Sequence, residues 1–147
     1  MADLHIDDFN RDCALILLQL YNAFPRPYTV YVEDIAGSDT PDEVGLHSDR
    51  HMACLGAMLW LADEGFIRYQ ALVYQDAIDQ AILTRSAYTL LTTPHTKPDL
   101  KTTEGSPPER ALIHEIRQQI KSGTSDQINT CMLSFFAQQP LSIQPDL

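Results

Sequence analysis

The chain has 147 residues, of which 44% are hydrophobic and 20% charged, with a formal net charge of −10. That length fits one domain, or one domain with an appendage. No apolar run approaches the roughly 18 residues needed to span a bilayer. The acid excess also argues against a generic nucleic-acid binder, which must neutralise phosphates with Lys and Arg.

The charge is uneven. Residues 1–64 hold 12 acidic side chains against Arg11, Arg26 and Arg50, a net of −9, whereas residues 65–147 hold 8 against 7, a net of −1. Cys13, Cys54 and Cys131 are odd in number, far apart and set among apolar neighbours, the pattern of buried reduced thiols. The opening residues Met1 to Asp8 lack a basic segment followed by an apolar core, so no secretory signal is expected. A cytoplasmic location without membrane attachment follows as the expectation.

Along the chain, Asp7 or Asp8 is expected to cap a first helix carrying Phe9, Cys13, Ile16, Leu17, Leu20 and Phe24 at helical spacing, stopped by Pro25-Arg26-Pro27. Tyr28 to Val32 is a β-branched and aromatic run that reads as a strand. Glu33 to Ala36 reads as one helical turn ended by Gly37, and Ser38 to Asp42 as a loop. Ser48 is expected to cap a helix to about Glu64, with Gly65 as its stop. Phe66 to Tyr74 and Gln80 to Leu83 read as a strand pair around the turn Gln75 to Asp79, and Thr84 caps a short helix. Residues 93–108 are rich in Pro, Thr, Lys and Gly and read as a linker. Ser106-Pro107-Pro108-Glu109 has the form of a capping box opening a helix that stops near Gly123, and Ser125 opens a last one. The expected organisation is therefore a domain over 1–92, a linker over 93–108 and a helical pair with its tail over 109–147.

The order helix, strand, helix, helix, hairpin resembles the winged helix-turn-helix fold. Leu59-Trp60-Leu61-Ala62-Asp63-Glu64-Gly65-Phe66-Ile67 looks like a third helix running into the first wing strand. Ile82 to Leu91 looks like the second wing strand and the helix that closes such domains. The run Leu17 to Pro25, with the C-terminal helices, is similar to small bacterial and phage winged-helix proteins without an assigned role. The fold class implied is α+β, mainly helical, a winged helix with a C-terminal two-helix extension. The resemblance covers about residues 7–92.

In winged-helix regulators the third helix usually reads DNA with Arg, Lys, Asn or Gln. Laid out at 100° per residue, Met52, Leu55, Met58, Leu59 and Ala62 share one arc, expected to face the core. The opposite arc holds Arg50, Ala53, Cys54, Ala57, Trp60, Leu61 and Glu64. Only Arg50 there suits a phosphate or guanine. Arg50, Ala53, Ala57, Trp60 and Leu61 are therefore the candidate face for a protein partner, the alternative being that Trp60 and Leu61 complete the core near the helix end with Ala53 and Ala57 merely small. Tyr74, Gln75 and Asp76 form a wing of open role. The pair of C-terminal helices must bury Leu112, Ile113, Ile116, Ile120, Ile128, Met132, Phe135 and Phe136, because isolated helices of this length are marginal. They either fold back over the third helix within the chain or pair with a second copy; a homodimer is the preferred expectation.

Catalytic signals are thin. His47, His51 and Cys54 stand at i, i+4 and i+7, a spacing metal ligands use, but His47 precedes the expected N-cap and no fourth ligand is near in sequence. No metal and no cofactor are expected. His47-Ser48-Asp49 has hydrolase residue types without a nucleophile elbow. The acidic pairs at 7–8, 33–34, 42–43 and 63–64 lie at helix ends or loops, and no glycine-rich phosphate cradle is present. The expected function is a non-enzymatic, acidic interaction module, dimeric and binding a protein, with a regulatory or phage accessory role and a DNA-mimic as a special case. The alternative is a sequence-specific DNA-binding transcriptional regulator using helix 48–64 and wing 66–83, which needs a dimer to gather Arg50, Arg68, Arg85, Lys97 and Lys101 into one basic stripe.

Overall fold

Helix α1 (Leu4–Ala23) runs through the middle of the protein because its apolar residues occupy more than one side: Cys13, Ala14, Ile16, Leu17 and Leu20 are all buried. The computed structural model describes residues 3–95 and 110–138. α1 starts a turn before the Asp7–Asp8 cap expected from sequence. The Asp3 carbonyl accepts from the backbone N–H groups of Ile6 and Asp7 at 2.9 and 3.1 Å, adding Leu4, His5 and Ile6 as an exposed first turn.

Strand β1 (Tyr28–Tyr31) passes directly into α2 (Val32–Ala36), which Gly37 ends at φ 93, a left-handed angle that costs glycine nothing. After a loop comes α3 (Asp49–Asp63), whose cap is Ser48: its side chain accepts from the His51 N–H at 3.1 Å, as expected.

Two short strands, β2 (Ile67–Arg68) and β3 (Ala71–Val73), then pair along one edge of β4 (Ala77–Leu83), with β1 antiparallel on its other edge. The single strand expected over Phe66–Tyr74 is thus broken at Tyr69–Gln70. The register is not: Ile67 faces Leu83 and Ala71 faces Asp79, the same alignment carried through the break. On the β1 side, Tyr28 faces Ala81 while Val30 faces Ile78, so β4 carries one extra residue at Asp79–Gln80. Gln80 sits there at φ 52, and Thr29 Oγ1 donates to Asp79 Oδ1 at 2.8 Å. On the other edge the pairing of Val73 with Ala77 starts β4 at Ala77, three residues before the expected Gln80, and shortens the turn to Tyr74–Asp76.

Thr84 caps α4 (Arg85–Thr92) as expected, accepting from Ala87 N–H at 3.3 Å. A two-residue pairing of β5 (Pro94–His95) with β6 (Arg110–Ala111) follows. The proposed capping box at Ser106–Glu109 and most of the linker lie outside the described residues. Helix α5 (Leu112–Ser122) begins directly after β6, without a side-chain cap, and α6 (Ser125–Ala137) opens with a capping box between Thr124 and Gln127.

The C-terminal helices close over their own chain. α6 lies along α1, and α5 packs against α1 and α4. Leu112, Ile113, Ile116, Ile128, Met132 and Phe135 are buried there, with Ile120 and Phe136 partly buried against the same core. This corrects the assignment of the six buried residues to a dimer surface: α1 offers an apolar side of its own that covers them. Polar contacts fix the packing. Asn10 Nδ2 donates to Asn129 Oδ1 at 3.1 Å and Asn129 Nδ2 to Asp7 Oδ1 at 2.6 Å, while Arg117 donates to Asn22 Oδ1 at 3.0 Å. The architecture is α+β and mainly helical, with a small antiparallel sheet. No helix among the described residues is long and apolar enough to cross a membrane.

Candidate functional site at the head of the third helix

The first turn of α3 lies against α1 through an ion pair with a buried carboxylate. Arg50 donates to both oxygens of Asp12, Nη1 to Oδ2 at 2.7 Å and Nη2 to Oδ1 at 2.6 Å, with Asp8 Oδ2 3.7 Å from Nε. Asp12 is 1% exposed and Arg50 34%. The fork matches guanidinium to carboxylate in both geometry and charge. Arg50 is therefore committed within the fold, contrary to its assignment to a free partner-binding face.

That pair also helps set the rotation of α3. Cys54, Leu55, Ala57, Met58 and Leu61 are buried, whereas Asp49, Met52, Ala53, Gly56, Trp60 and Asp63 form the outer stripe. The true outer face is displaced by roughly a quarter turn from the one laid out by hydropathy alone. Ala53 and Trp60 lie on it as expected. Ala57 and Leu61, 2% and 0% exposed, do not, and Met52 replaces them. Arg50 draws its side of the helix onto α1, and Gly56 gives the opposite side little to bury. Trp60 is 37% exposed and meets Phe9 and Phe136 edge to face, with ring centroids 5.2 and 5.1 Å apart.

At the same end of α3 stands a histidine pair. The rings of His47 and His51 stack in parallel, 5° apart in plane with centroids separated by 3.7 Å. Asp39, from the loop after α2, brings Oδ2 to 2.9 Å from His47 Nδ1 and 3.8 Å from His51 Nδ1. The β3–β4 turn supplies the other side: Asp76 Oδ1 is 3.2 Å from His47 Nε2, and the Gln75 carbonyl is 2.7 Å from His51 Nε2. Tyr74 projects outward at the tip, 87% exposed and at φ 50. The Gln75 backbone carbonyl and the Asp76 carboxylate thus face the histidines, although both residues are exposed. Hydrogen bonding from Ser48, then from His47, holds the Asp39 carboxyl down at about 2, so it is ionised at neutral pH.

Of the spacing noticed in sequence, His47 and His51 come together and Cys54 does not. Cys54 is buried near Asp12 and Arg50, and burial pushes its thiol up to about 12. Sequence reasoning missed Asp39 and the role of Asp76. Neither shows in helical periodicity, because each reaches the site from a loop or turn. The available signal was the excess of Asp in the segments flanking the two histidines.

Two other features bear on function. A crevice among α1, α5 and α6, lined by residues such as Ala14, Ile116, Ile128 and Met132, has no room even for a water molecule and so is not a small-molecule pocket. The basic stripe required for DNA reading lacks Arg50, which is paired, while Lys97 and Lys101 lie outside the described residues. Comparison with known proteins returned no matching family model, no matching curated protein and no matching solved structure.

Proposed function

We propose that this chain is a non-enzymatic interaction module on a winged-helix frame, binding a protein through the outer face of α3 rather than a nucleic acid. One observation carries the reading: Arg50, the sole Arg or Lys of α3, is held in a fork by Asp12. What remains outward is Asp49, Met52, Ala53, Gly56, Trp60 and Asp63. Carboxylates at both ends of that stripe repel a phosphate backbone. Small residues in its middle admit close approach of another backbone, and Met with Trp supplies adaptable apolar contact. The concentration of acid in residues 1–64 extends the same character around the helix. A cytoplasmic, regulatory or phage accessory setting fits such a module.

The test is binding of mixed duplex DNA fragments by the purified chain at low salt, followed by capture of partners from lysate with and without nuclease. No shift at low salt is expected, together with a captured protein that survives nuclease and is lost on Met52→Asp. A salt-dependent shift with DNA would sink the reading.

A further inference from the structure

We propose that Asp39, His47 and His51 form a binding site for one divalent transition-metal ion of the zinc class. The three ligand atoms lie within 4.8 Å of one another. A tetrahedral ion with bonds near 2.0–2.1 Å needs ligand atoms about 3.3 Å apart, and the Asp39 Oδ2 separations of 2.9 and 3.8 Å from the two Nδ1 atoms bracket that spacing. The donor set of two imidazoles and a carboxylate suits zinc and its neighbours rather than calcium or magnesium.

The independent observation is His51. Its side chain is 1% exposed, and its Nδ1 is buried without a hydrogen-bond partner. The Gln75 carbonyl can only accept, so the hydrogen of a neutral His51 sits on Nε2 and the lone pair on Nδ1. That lone pair is left 3.8 Å from the Asp39 carboxylate. A buried acceptor facing an anion is costly; a cation between the two satisfies both.

The surrounding contacts also match a metal site. Metal-bound histidines commonly donate their other N–H to a carboxylate or backbone carbonyl, which fixes the tautomer. Asp76 and the Gln75 carbonyl take those places, leaving both Nδ1 atoms on the Asp39 side. His47 Nδ1 gives up any hydrogen it shares with Asp39 when it binds the ion. A tilt of the stacked rings towards each other brings both nitrogens onto one centre. Three protein ligands leave a position for water. The ion would join the loop after α2, the head of α3 and, through Asp76 and Gln75, the β3–β4 turn.

The experiment is titration of the full chain, stripped with chelator, with zinc followed by calorimetry, and with cobalt followed by visible absorption. One ion per chain is expected, with cobalt bands of nitrogen and oxygen ligation and a rise in melting temperature. His51 is a core residue, so the informative variants are Asp39→Asn and His47→Gln, at positions 13% and 14% exposed. Each should weaken zinc binding by about tenfold or more while leaving the circular dichroism of the stripped protein intact. The proposal is overturned by absence of uptake, by binding that neither variant changes, or by a cobalt–thiolate band placing the ion on cysteine. Its outcome is independent of whether the outer stripe of α3 binds protein.

Discussion

Asp12 and Arg50 show how one residue's environment decides its role. Arg50 is a third exposed, whereas Asp12 is buried at 1%. Removing the two partners should therefore have unequal effects. Arg50→Met leaves a carboxylate buried without its partner and is expected to cost about 3–5 kcal/mol. Asp12→Asn leaves a guanidinium that reaches water, and about 1–2 kcal/mol is expected. Urea denaturation of both variants checks the order; equal or reversed costs would contradict the geometry. The cysteines give a second residue-scale prediction. Burial is the largest cause of the upward shift at both Cys13 and Cys54, the latter from 9.0 to about 12. A raised thiol value means that the folded state holds its proton longer than the unfolded chain. The contribution is complete below the ordinary thiol value and is lost as pH rises from about 9 towards 12. Both thiols should resist alkylation at pH 8 in native protein and react in urea, and stability should fall above pH 9.

Among the elements, β4 and α3 depart most from a reading by pattern. The β4 bulge places Gln80, an exposed non-glycine residue, at φ 52. Gln80→Gly should be neutral or stabilising by under about 1 kcal/mol, whereas Gln80→Val, β-branched in a left-handed conformation, should cost about 1–2 kcal/mol. Thermal melting of the two variants distinguishes the bulge from a regular strand, in which valine would be the better residue. The rotation of α3 has a different origin. Helical periodicity finds a helix readily when apolar residues occupy one side, but α3 is apolar on nearly all sides, so periodicity leaves its orientation undetermined. The Arg50–Asp12 fork fixes part of what periodicity cannot.

The whole molecule is organised by α1, which supports α3 on one side and the C-terminal pair on the other. Phe135, fully buried beside Phe66 and Phe136, is a principal contact of α6 with the rest of the core. Phe135→Ala should cost about 3–5 kcal/mol. It should also alter the emission of Trp60, the single tryptophan, because Trp60 shares that aromatic cluster through Phe136. A variant as stable as the parent, with unchanged fluorescence, would show that α6 does not complete this core.

What the sequence determined by itself was local: the helix over Asp49–Asp63 and its Ser48 cap, the Thr84 cap, the stop at Gly37, the strand at Tyr28 and the surplus of acid in the first half. These follow from hydrogen bonds and backbone angles within a few residues of one another. Only the tertiary structure decided that the C-terminal helices cover α1 in their own chain, that Ala57 and Leu61 face inward, and that Asp39 meets His47 and His51. Each of these depends on which of several available surfaces or side chains is nearest once the chain has folded. Composition and period carry no record of that choice, because the residues that make it come from separate segments.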